Sequence, residues 1–207
     1  MLKLEKPRGG IGVLLYNIVL FIHILGAVIM FVAVAFTLLA MISMLYSTKT
    51  EGLRNWAALA VKLDGLLPFS VILILVPGLY LVFTSWGWGN SWVDISLALL
   101  LIMTFMGPII NLRRLKSILN GAIDETELIP SAGLLEKVRD RILWNSVLIM
   151  TMLTISILFL MTVKLTMSGS IVTIVVAIIL GLLIANILIS RATKTFSSSN
   201  SNTTSMK

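Results

Sequence analysis

Apolar positions fall in five long blocks along the chain, at about residues 13–46, 66–83, 93–112, 142–163 and 171–190, with shorter polar stretches between them. A helix needs about 20 apolar residues to cross a bilayer, and each block reaches or approaches that length. The pattern predicts an all-α integral membrane protein, a five-span helical bundle. Residues 11–190 form one transmembrane domain, preceded by a short basic tail (1–10) and followed by a Ser-, Asn- and Thr-rich tail (191–207) expected to be disordered.

The first block sorts cleanly at about 100° per residue. His23, Gly26, Ala27, Met30, Ala33, Val34 and Thr37 share one side, and Phe21, Leu25, Val28, Val32 and Phe36 share the other. In lipid, small and polar residues belong at helix contacts, where backbones approach and polar groups find partners. The bulky side is therefore expected to face lipid and His23 the bundle. Two readings of this single histidine stay open: packing glue hydrogen-bonded to a neighbouring helix, or a ligand in a functional site.

In the second block, Pro68 suits a helix start and Pro77 should kink the helix, because it has no N–H to give the carbonyl of Leu73. Pro108 is expected to do the same near the end of the third block. Residues 84–92 read as a tight loop whose Trp86, Trp88 and Trp92 anchor in the headgroup layer, and Trp144 is expected to anchor the fourth block likewise. Ser91-x-x-Asp94 resembles a capping box. Residues 47–65 read as a polar connection in which 55–62 forms a surface helix anchored by Trp56. Residues 117–141 read as a solvated stretch, and 134–142 as an amphipathic segment lying on the membrane. Ala177, Gly181 and Ala185 form a small-xxx-small stripe that favours close packing, within the bundle or in a homodimer.

Composition agrees with this architecture. Of 207 residues, 58% are apolar and only 12% charged, and mean hydropathy is +1.04. The net charge of +7 sits beside the apolar blocks, so it points to topology and anionic lipid rather than nucleic acid. The absence of cysteine excludes disulfides, thiolate metal sites and covalent haem attachment. The basic leader before the first block resembles a signal peptide, but the apolar run is too long for one and reads as an uncleaved span.

With five spans, one side carries twelve basic residues: Lys49, Arg54, Lys62, Arg113, Arg114, Lys116, Lys137, Arg139, Arg141, Arg191, Lys194 and Lys207. The other carries four, Lys3, Lys6, Arg8 and Lys164. The first side, with the C-terminus, is then cytoplasmic and the protein a multi-pass component of the cell membrane. A hairpin over 11–46 would give six spans and fifteen against one, which the charge rule prefers. That block, however, contains no proline, charge or turn cluster near its middle.

His23-Ile24-Leu25-Gly26-Ala27-Val28, then Pro77-Gly78-Leu79-Tyr80 before a tryptophan loop, then Gly107 running into Asn111–Arg114, then Phe159-Leu160-Met161-Thr162-Val163-Lys164 occur in an order that resembles the integral-membrane family called domain of unknown function 2269. The chain departs from that pattern at Met30–Ala35 and at Leu165. His-x-x-Gly in the first span is more distantly similar to copper-resistance D-type and HemJ-type membrane proteins, and the latter likeness implies haem on His23. The arginine and second histidine of HemJ-type helices have no counterpart here.

The residues support three functional expectations. The first is a non-catalytic accessory or assembly protein that acts through helix contacts with the bilayer and other membrane subunits. The second is a b-type haem-binding or redox-associated protein with His23 as ligand; Met30, about 10 Å along the same helix, lies too far to share the iron. The third is copper handling through its 11 methionines, which are scattered. An ion-coupled transporter is disfavoured, because Asp94 and Lys164 lie near span ends rather than in mid-membrane.

Overall fold

The computed structural model describes the backbone of residues 10–204 and side chains through residue 192; the basic tail of residues 1–9 lies outside them. The helices are α1 (Gly10–Leu45), α2 (Thr50–Asp64), α3 (Leu67–Leu81), α4 (Ser91–Met106), α5 (Arg113–Asp124), α6 (Ala132–Val138), α7 (Arg141–Val163) and α8 (Met167–Thr204). Two π-helical segments interrupt them. Val82–Trp86 extends α3, and Gly107–Leu112 joins α4 to α5. End to end these make five rods long and apolar enough to span a membrane. The protein is an all-α five-helix membrane bundle. Because α1 is unbroken, the six-span hairpin does not form.

The side of α1 carrying Gly26, Met30, Ala33 and Thr37 is buried, while Phe21, Val28, Val32 and Phe36 are exposed. The α7–α8 seam uses the small-residue stripe. Ala177 and Ala185 are buried, and a Cβ on Gly181 would lie 2.8 Å from the Ile149 Cα. The stripe is thus filled inside the bundle.

With 36 residues, α1 is about 54 Å long, well over the roughly 30 Å hydrocarbon layer. The end bearing most Lys and Arg is here called the basic end; the opposite end carries the tryptophans of residues 86–92. At the basic end α2, α5, α6 and the ends of α1, α7 and α8 enclose a core that includes Met44, Leu53, Leu115, Ile118 and Leu148.

Several expectations fail here for one reason: amphipathic stripes meet protein, not the bilayer surface. The segment expected as a connection is α2, whose Leu53, Ala57, Ala60 and Asp64 recur at helical spacing and are all buried. The stretch after Arg113 stays helical because Leu115, Ile118 and Ala122 form a second such stripe. The segment expected to lie on the membrane is the short α6, with Leu134 and Val138 in the core. The chain then turns at Asp140, which caps the Ile142 N–H and pairs with Arg114. Trp144 is no headgroup anchor. It is 0% exposed, and its Nε1 donates to the Val138 carbonyl at 2.9 Å. Nor does Ser91 cap α4: Asn90 is the N-cap residue, and the tight turn before it uses Gly87 and Gly89 at positive φ.

Replacing Gly181 by leucine should force the α7–α8 backbones apart. A loss of about 1–3 kcal/mol is expected for such overpacking. Thermal unfolding in detergent should show a lower Tm for Gly181→Leu and little change for Gly133→Ala, where a Cβ meets nothing within 4 Å.

Candidate ligand-binding cavities

The contact between α1 and α3 sets up the first cavity. A Cβ on Gly26 would lie 2.8 Å from the Leu73 carbonyl carbon, and one on Gly78 would lie 3.0 Å from His23 Cε1. Gly26 therefore lets the α1 backbone meet that of α3, and the imidazole lies across the bare Gly78. There His23 Nδ1 donates to the Ile74 carbonyl at 2.8 Å. A carbonyl only accepts, so Nδ1 carries the proton. A second proton, on Nε2, would place a full charge in apolar surroundings. Nε2 is left with its lone pair, on a ring that lines a cavity of about 600 Å³ between α1, α3, α4 and α7.

The walls are mostly aliphatic, with an aromatic and cationic rim at the tryptophan end. Trp86 meets the His23 ring edge-on, centroids 5.9 Å apart, and packs on Trp92 at 5.4 Å. Lys164 Nζ sits 5.4 Å from the Trp92 ring centroid. Lys164 ends α7 in the left-handed conformation, φ 56°. Trp86 and Trp92, expected as headgroup anchors, line the cavity. Trp88 is exposed and stacks edge-on with Phe83.

A second, smaller cavity of about 70 Å³ lies nearer the basic end. It brings together Thr37 of α1, Asp64 of α2, Thr104 of α4, Asn111 of the second π segment, and Thr151 and Thr154 of α7. Asp64 is only 5% exposed. Sequence reasoning left Asp64 in a surface connection. The signal that could have found it is its place on the Leu53–Ala57–Ala60 stripe. Met30, Leu100 and Thr154 line both cavities and stand between them. Each π segment contributes to one cavity: Val82 and Trp86 to the larger, Gly107, Pro108 and Asn111 to the smaller. Such segments shift helix register by one residue and are common where side chains must be re-aimed.

Three methionines that are far apart in sequence, Met30, Met103 and Met150, also meet at the smaller cavity. The Met150 sulfur already accepts from Asn111 Nδ2 at 3.2 Å. Among the described residues no group of three or more His, Cys, Asp or Glu is placed to hold a metal ion.

Comparison with known proteins gives no match: no family model, no curated protein and no solved structure aligns significantly with the chain.

Proposed function

We propose that the protein binds a bulky, mostly apolar cofactor in the larger cavity, and that b-type haem is the ligand its donor set fits. The observation that carries this reading is the His23 Nδ1 bond to the Ile74 carbonyl, which leaves Nε2 as a free donor atom on the wall of a cavity of about 600 Å³. Histidine ligands are commonly oriented this way, with the other ring nitrogen fixed by a carbonyl or carboxylate. The size falls within the range of cofactor pockets. Lys164 at the rim is placed to meet an acidic group on the ligand, and Trp86 and Trp92 offer flat apolar surface. Bound haem would supply one-electron chemistry. The chain's own part would be to present the His23 imidazole nitrogen to the iron and to exclude water.

A second reading, an accessory protein for other membrane subunits, draws on the turn between α5 and α6. Leu128 and Ile129 are 85% and 73% exposed there, outside the apolar rods. In either case we assign the basic end to the cytoplasm of a cell-membrane protein, because that end holds Lys49, Arg54, Lys62, Arg113, Arg114 and Lys116.

Protein purified after expression with ample haem supply should show a Soret band and, once reduced, an α band. His23→Ala should lose both. A featureless wild-type spectrum would remove the haem assignment and leave the accessory reading. For orientation, a reporter fused before Met1 should be active outside the cytoplasm and one fused after Lys207 inside it. The reverse pattern would overturn the assignment.

A further inference from the structure

The smaller cavity holds a buried acid that the haem reading does not use. Asp64 ends α2, ahead of the apolar block at 66–83, and is 5% exposed. Among the described residues no hydrogen bond or ion pair reaches its side chain. Its surroundings are almost entirely apolar, with Met30 and Val34 from α1, Leu67 and Val71 from α3, and Leu100 and Met103 from α4. An ionised carboxylate in such a place loses its hydration and gains no partner in return, so it neutralises by taking up a proton. Its position at the C-terminal end of α2 acts in the same direction, because the helix dipole is negative there.

No neighbouring charge opposes this. The walls supplied by α1, α3, α4, the second π segment and α7 contain no other ionisable group. On α2 itself Lys62 is exposed. On α5, which packs against α2, Arg113 and Lys116 are exposed and Arg114 pairs with Asp140. Burial pushes the Asp64 carboxyl up to about 6. Gly65 and Leu66, which follow it, are exposed, so the acid sits beside the break between α2 and α3.

We propose that this cavity is a proton-binding site, and that Asp64 couples the bound proton to the packing of α2 against α3. With its O–H bond intact the side chain is neutral and the cavity stays closed. When that bond breaks, the electron pair stays on the carboxylate and the proton passes to water at the basic end. Water then enters past Gly65 to solvate the charge. The stabilisation is fully present below the pH at which a free aspartate ionises, about 4. It is lost as pH rises through about 6.

Infrared spectroscopy of the full chain in a maltoside detergent, which has no carbonyl group of its own, tests this. At about pH 5, where exposed carboxyls are largely ionised, the spectrum of wild type minus that of Asp64→Asn should show the C=O stretch of a protonated acid. Raising the pH to about 8 should abolish it. His23→Ala and Glu51→Gln should keep the band. Thermal unfolding reads the coupling. The wild-type Tm should fall by about 5 °C over the same range, and that of the near-isosteric Asp64→Asn, neutral at every pH, by much less. On the cavity wall, Val71→Cys should react with a maleimide several-fold faster at about pH 8 than it does when combined with Asp64→Asn. No acid band in the difference at about pH 5, or one still present at about pH 8, would overturn the proposal. Equal changes of Tm and of labelling with and without Asp64→Asn would overturn it too.

Discussion

The bundle depends on the direct backbone contact between α1 and α3. Lipid tails are as apolar as the side chains, so helices associate through close packing rather than by escaping water. Gly26 permits that packing where a Cβ would collide with the Leu73 backbone, and Gly78 leaves room for the His23 ring. Pro77 adds to it by withholding an N–H from the Leu73 carbonyl on the same stretch of α3. The contact fixes the imidazole between two helices and commits one of its nitrogens to Ile74. The other helices then close around an opening instead of filling it, and the larger cavity results.

The two ends of the molecule obey different physics. In the apolar half, small residues and self-bonded hydroxyls knit helices that face lipid. At the basic end the chain builds a core like that of a water-soluble helical protein, with Trp144, Leu115 and Leu143 fully enclosed. The smaller cavity lies toward this end, beside the junction of α2 and α3. A carboxylate such as Asp64 is more easily kept there than at the bilayer centre.

What could be read from the sequence divides along the same line. The buried face of α1 and the Ala177–Gly181–Ala185 seam were legible, because in lipid a stripe of small residues has one use. The basic-end helices were not. The stripes of α2, α5 and α6 bury apolar residues at helical spacing, and a helix lying on a membrane would show the same spacing. Trp144 at the start of a span suits a headgroup anchor and a core residue equally well in sequence; only its neighbours, Val138 above all, decide. Asp64 was missed because the residues that share its cavity come from α1, α4, the second π segment and α7, and no local window contains them. The π segments leave no strong sequence mark either, yet they bring Trp86 and Asn111 to the cavity walls.

Because the chain has one histidine, nitrogen-15 NMR of histidine-labelled protein in lipid reports on His23 alone, before any cofactor is added. The bond to Ile74 predicts one imidazole with its proton on Nδ1 and an unprotonated Nε2, free to act as a ligand. A proton on Nε2, with Nδ1 bare or also protonated, would contradict it: the bond to Ile74 would be absent or the donor atom already spent, and the larger cavity would lose its anchor.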